Sequence, residues 1–200
     1  SGADVHYKTS GAVTNTVKNV AELRTVITQA LECMCDVVGD TEDDPNRVCD
    51  NLSDASSVKD VLACAFDEGS VLELRGGIAS EAITAFAKLN GVTVAVVGAE
   101  GKLTARGAAK ITDFLNTADN AGVPVVNLVA CTGTVADAKE ETGDLIRNVS
   151  DLIYTYNNMD VVKVTLFCGM TVGSGYTIFA SNVSCVYGIV WVNAAISTCD

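Results

Sequence analysis

The sequence has a single histidine, His6, and none of its eight cysteines stands in a C-x-x-C pair. One imidazole leaves no material for a Ser-His-Asp or Cys-His catalytic group. Together with the cysteine spacing it also argues against a zinc site, so no metal is expected. No apolar run reaches the roughly 18 residues that a membrane span needs. The first residues, Ser1-Gly2-Ala3-Asp4, lack the basic stretch and apolar core of a signal peptide. Positive charge is scarce: 13 Lys and Arg face 25 Asp and Glu, a formal charge of −12. Such a chain has no broad phosphate-binding face, which removes nucleic acid from the expected partners. The glycine-rich turns carry neither the Lys-Ser/Thr of a P-loop nor a G-x-G-x-x-G.

What is present is apolar. In 200 residues, 48% are hydrophobic, enough to offset chain entropy and build the core of one domain or one and a half. The cysteines are Cys33, Cys35, Cys49, Cys64, Cys131, Cys168, Cys185 and Cys199. Cys64, Cys131 and Cys168 sit among apolar residues, as small buried hydrophobes do. Reduced thiols and a cytoplasmic location are the expectation.

The spacing of Val20, Leu23, Val26, Ile27, Ala30, Leu31 and Met34 predicts a helix over Asn19–Val38. The acidic, turn-rich run from Gly39 to Arg47 reads as a linker; a cation site there is the less favoured reading. A helix follows over Val58–Phe66, then mostly strand over Val71–Arg75 and Ile78–Leu89, and a buried strand over Val92–Gly98 from its β-branched run. Ala108, Ile111, Leu115 and Ala118 line one face of a helix over Ala105–Ala121. A strand over Val125–Ala130, a helix over Thr142–Met159, a strand over Val161–Phe167, a helical turn opened by Gly173-Ser174-Gly175 and a strand over Val186–Val192 complete the series. This alternation predicts an α/β fold whose strands are buried on both faces by crossover helices.

In such sheets ligands bind beyond the carboxyl ends of the strands. Three turns qualify: Val97–Gly101, Ala130–Thr134 and Phe167–Tyr176. The last combines small residues with a helix start whose free N–H groups can hold an oxyanion. On spacing alone, a tight strand-to-helix turn explains it equally well.

The run Glu141-Thr-Gly-Asp-Leu-Ile-Arg147, then Leu152-Ile-Tyr-Thr-Tyr156, Val161-Val-Lys-Val-Thr-Leu-Phe167 and Gly173-Ser-Gly-Tyr176 resembles the carboxyltransferase subunits of biotin-dependent acyl-CoA carboxylases and decarboxylases. Those carry, in the same order, Q-E-x-x-G-I-I-R, L-L-Y-A-Y, V-P-K-V-T-V-I and A-Y-G-G-A-Y. Upstream, Gly91–Gly98 is similar to their G-R-P-V-G-V-V-A-N strand, and Gly2-Ala-Asp-Val-His6 through Ser10-Gly-Ala to the segment closing their N-terminal domain. Tyr187–Ile196 is similar to their Y-A-W-P-T-A-E-I strand. The resemblance implies a crotonase-like (ClpP/crotonase) ββα superhelix, essentially one half of such a subunit. It divides the chain into residues 1–50, the end of an N-terminal half with strand, helix and acidic linker, and residues 51–200, a C-terminal carboxyltransferase domain.

The function it implies is carboxyl transfer between carboxybiotin and an acyl-CoA. Biotin would be carried on a partner's biotin carboxyl carrier domain, and the chain would join a homo- or hetero-oligomer of similar subunits. The family's biotin-side oxyanion hole corresponds to Ser174 and Gly175, with Gly173 before them and Tyr176 after; the donor is backbone, whatever side chain stands at 174. Gly133 and Thr134 correspond to a P-G-F turn near the reacting centre, with Thr132 for the Pro and Thr134 for the Phe. Gly169-Met170 replaces a basic pair, and Asp144 a glycine. These losses of charge keep a second expectation open: a non-catalytic structural or assembly subunit. Glu141 and Arg147 read equally as a surface pair or an active-site network, Tyr154 and Tyr156 as packing residues, and His6 as structural or exposed.

Overall fold

The computed structural model describes residues 2–35, 39–41, 43, 44, 46–48, 57–180 and 187–199. Cys49, Cys185, part of the expected linker and the expected boundary at residue 50 lie outside them.

The chain begins with a helical turn, α1 (Ala3–Val5), that widens into a π-type turn over His6–Ser10. The described part of residues 1–50 is thus helix and loop, where a strand was expected. Local polar contacts favour the coil: Lys8 reaches Asp4, and the Ser10 hydroxyl reaches the His6 carbonyl. Helix α2 (Val20–Cys35) forms where its periodicity predicts. Only its Cys33 is buried, and the stripe Val20, Leu23, Ile27, Leu31 and Met34 faces outward.

Helix α3 (Val58–Ala65) starts at Ser57, whose hydroxyl accepts the Asp60 N–H at 3.1 Å. Then come β1 (Leu72–Glu73), β2 (Ala82–Leu89) and β3 (Val92–Leu103). The second expected strand begins only at Ala82, because Arg75 and Ala79 adopt positive φ and break extended pairing. The third runs past Gly98 to Leu103, so the turn expected over Val97–Gly101 is strand, paired to Glu81 and to β4. Helix α4 (Ala105–Asn120) is capped by Thr104, whose hydroxyl accepts the Gly107 N–H at 3.0 Å. Strand β4 (Val125–Thr134) likewise outlasts its expected end. The helix expected over Thr142–Met159 divides at Gly143 into α5 (Ala138–Thr142) and α6 (Leu145–Asn158). Beyond β5 (Lys163–Phe167) lie β6 (Thr171–Val172), α7 (Ser174–Phe179), β7 (Tyr187–Val190) and β8 (Ile196–Ser197). The strand expected over Val186–Val192 ends at Val190, and the run resembling a family strand to Ile196 turns at Trp191–Asn193 before its end pairs with β6.

The main sheet has the order β1-β2-β3-β4-β5-β7, antiparallel from β1 to β3 and parallel from β3 onward. Alternate residues serve two cores. Ala82, Phe86, Ala95, Val97, Val129 and their neighbours pack on α4, α6 and α7. Ile83, Ala85, Val94, Val96 and Leu128 pack on α3. All three crossovers therefore cover one face, and the other is closed by α3, an upstream helix rather than a crossover. Strand β7 is exposed along its whole length.

Most polar groups inside this core are paired, the Thr171 hydroxyl on β6 being buried without a hydrogen-bond partner among the described residues. The Tyr156 hydroxyl donates to Asn127 Oδ1 at 2.8 Å, and Asn127 Nδ2 donates to Thr165 Oγ1 at 3.1 Å. Lys163 Nζ reaches the Tyr156 and Met159 carbonyls, closing the C-terminus of α6. Lys110 Nζ rises from α4 to the carbonyls of Ile78 and Ala82 at 3.0 and 2.6 Å. Burial lowers the Lys110 pKa to about 8, with Arg75 and Lys59 acting the same way and Glu73 and Glu81 against it.

Replacing Tyr156 by Phe should destabilise the fold by about 1–3 kcal/mol, the cost of losing a buried bond to Asn127, as read from urea unfolding. Lys110 predicts a pH effect. Between its folded value of about 8 and the ordinary lysine value of about 10.4, the unfolded chain binds a proton that the folded chain has released, so stability rises with pH in that window. The penalty is complete below it. Unfolding curves of the parent and Lys110→Met across this range should therefore converge or cross in the parent's favour as pH increases.

Candidate functional site

Strands β3, β4 and β5 end at the same edge of the sheet, where the chain turns into helices. At the tip of β4, Gly133 has φ +110°, and Thr134 follows it. Three contacts define this turn. Cys131 Sγ lies 3.4 Å from the Gly133 carbonyl, Val135 N–H donates to Leu103 O at 3.0 Å, and Thr134 N–H donates to Ser174 Oγ at 2.9 Å.

The second turn comes from β6. Gly173 takes φ 56°, a backbone region that disfavours a side chain, and its N–H donates to Ser197 O at 3.2 Å. Helix α7 then starts at Ser174. Its first internal bond runs from Thr177 N–H to the Gly173 carbonyl at 3.2 Å, so the Ser174, Gly175 and Tyr176 amides precede the intrahelical ladder. Gly175 is packed so closely on β4 that a Cβ would fall inside the van der Waals envelope of the Cys131 carbonyl oxygen.

The structure thus brings Gly133, Thr134, Gly173, Ser174 and Gly175 to one place. Tyr176 joins them only as the next residue of α7, half-buried. Ser174 is exposed at the surface of the turn. Arg147 pairs with Asp144 at 3.1 Å, both side chains well exposed, and Tyr154 is exposed while Tyr156 is buried. The pairing of Ser174 with Thr134 is absent from the sequence reading, as is the anchoring of Gly173 by Ser197. The only sequence trace of the first is that both positions depart from the resembling motifs.

Chemically, the site is a set of hydrogen-bond donors. Burial raises the Cys131 thiol pKa despite the Gly133 and Leu103 backbone nearby, and pushes Cys168 up to about 11. Both stay protonated at neutral pH and are poor nucleophiles. Amides that precede a helix's internal ladder suit an anionic oxygen, such as that left on a ureido ring when its carboxyl group departs.

The sheet, parallel from β3 onward with its crossovers on one face, has the crotonase-like fold of the solved carboxyltransferases it superposes on. The Carboxyl transferase domain model matches residues 1–198, and the chain belongs to that family. It is 32% identical over 124 residues to the methylmalonyl-CoA carboxyltransferase 12S subunit of Propionibacterium freudenreichii subsp. shermanii, covering 60% of this chain and 24% of the relative. It is 28% identical to the methylmalonyl-CoA decarboxylase subunit alpha of Veillonella parvula, covering 71% and 30% of the two chains. The crystal structure of transcarboxylase 12S, described as a hexamer assembly of a multienzyme core, superposes with a TM-score of 0.90 at 24% identity, over 99% of this chain and 42% of that one. The chain spans less than half the length of these relatives.

Gly175→Ala should cost about 1–3 kcal/mol through overpacking against β4. Gly2→Ala, where a Cβ meets nothing within 4 Å, should leave the urea midpoint unchanged.

Proposed function

We propose that the chain is the carboxybiotin-side portion of a carboxyltransferase, moving a carboxyl group between carboxybiotin and a short acyl-CoA of the methylmalonyl or propionyl type. The observation that carries this reading is the family match over residues 1–198 together with the start of α7 at the strand ends. Substrate class follows from the relatives' names, methylmalonyl-CoA carboxyltransferase and propionyl-CoA carboxylase beta chain. Biotin, arriving on a carrier domain, supplies the carboxyl group. The Ser174 and Gly175 backbone N–H groups would supply the donors for the negative oxygen that carboxyl transfer leaves; losing one such donor costs about 3 kcal/mol of transition-state stabilisation. Gly173 gives the turn its backbone conformation, and Gly133, Thr134 and Tyr176 are the residues beside it that would contact the ring.

The reading also requires partner subunits. The outward stripe of α2 and the exposed Tyr187, Ile189 and Val190 of β7 are large apolar surfaces of the sort that subunit contacts cover. Cys33, Cys35, Cys131, Cys168 and Cys199 are thiols, which fits a reducing cytoplasm. A second reading, a non-catalytic assembly subunit beside a catalytic relative, is favoured by Met170, which stands exposed where the family motif is basic.

Methylmalonyl-CoA labelled in its free carboxyl group, mixed with the assembled protein and a biotinylated carrier domain, should transfer label to the carrier. Assembly without transfer favours the second reading. Sedimentation should show an oligomer, as stable contacts of more than about 1,000 Å² would give, and a stable compact monomer would count against both.

A further inference from the structure

Two turns build the candidate site, and each is fixed to its surroundings. The Gly133–Thr134 turn is held by Leu103 and Cys131, and the start of α7 by Ser197 and by the packing of Gly175 on β4. Both therefore rest on Cys131, and the side chain of Ser174 adds the hydrogen bond that joins the Thr134 amide to the start of α7. Ser174 Oγ accepts the Thr134 N–H at 2.9 Å and lies 3.3 Å from Thr134 Oγ1. The same oxygen is 3.1 Å from where a Cβ on Gly133 would stand, so the turns are in contact as well as bonded.

This arrangement removes Thr134 N–H from the donors that a ligand could use. It also answers a mechanical problem. Gly133, at φ +110°, lies at the irregular end of β4, where pairing with Leu103 holds one side and the side facing α7 takes a further restraint to keep one shape. The Ser174 hydroxyl supplies it, with its own proton directed to Thr134 Oγ1 or to an oxygen bound between the turns.

We propose that the Ser174 hydroxyl is a positioning residue: it holds the Gly133–Thr134 turn at a fixed distance from the first amides of α7 and makes the facing wall polar. The proposal rests on the functional reading above, in which those two turns flank the ureido ring. Its role is distinct from that of the Ser174 backbone, which survives any side-chain replacement.

The test uses Ser174→Ala, Ser174→Thr and Thr134→Val in the purified protein with its co-purifying subunits. Amide hydrogen exchange is followed at residue 134, and free biotin is the titrant. Ser174→Ala should speed exchange of the Thr134 amide about tenfold. It should weaken biotin binding about fivefold, the worth of one net hydrogen bond. Ser174→Thr retains the hydroxyl and should restore both. Thr134→Val keeps the N–H bond to Ser174 and should lose less affinity than Ser174→Ala. Unchanged exchange at Thr134 in Ser174→Ala overturns the proposal, as does faster exchange with biotin affinity unaltered. A parent protein that takes up no biotin overturns the functional reading itself, and the positioning role with it, so the two failures are distinguished.

Discussion

The contact between Gly175 and the Cys131 carbonyl sets the distances on which the site depends. With no side chain at 175, α7 settles directly onto the end of β4, and no larger residue leaves room for that approach. Once α7 is seated there, Ser174 lies within reach of the Thr134 amide and Gly173 must turn sharply to connect β6 with the helix. The β6–β8 pair anchors the segment before the helix, with Thr171 and Gly173 both donating to the returning chain. A packing constraint on one α-carbon thus determines where the amides of the next turn point.

The seat itself is rigid because the core beneath it combines apolar packing with satisfied polar groups. Asn127 and Thr165 lie fully buried on adjacent strands and are bridged to α6 through Tyr156. A buried network of this sort has one arrangement in which every member is paired, so it fixes helix position more sharply than leucines would. Lys163 and Lys110 extend the same logic to carbonyls that no strand or helix partner can reach. Lys110 holds the segment between β1 and β2, where Arg75 and Ala79 take positive φ, against α4. The irregular edge of the sheet is held by a lysine from the helix packed on it.

The elements legible in the sequence are those whose signal is local. Ala108, Ile111, Leu115 and Ala118 repeat at helical spacing and all are buried; the β-branched run from Val92 lies in the sheet. Strand ends were misread, because a glycine such as Gly98 reads as a stop although it makes room for Val58 of α3. Periodicity in α2 gave the helix but not its surroundings: the apolar stripe marks one face, and that face lies outward from the core. The site turn at Gly173–Gly175 was visible through its small residues and its resemblance to the family motif. Its link to Thr134 was not, since two residues forty positions apart carry no mutual signal until the sheet places them together.

On the proposed reading, the same geometry explains how a chain with one histidine can support carboxyl transfer. His6 sits at the N-terminal turn with Ser10, and the thiols beside the site are kept protonated by burial. None of these is placed to act as a base. A reaction whose electrophile and nucleophile are both brought in by other molecules asks less of side-chain titration than of fixed dipoles. Backbone amides do not titrate, cost little to reorganise and are aimed by the fold itself. Their effectiveness then rests on the stiffness of what holds them, which is why the close seat of Gly175 and the hydrogen bonds of Ser174 matter more here than the acidity of any residue.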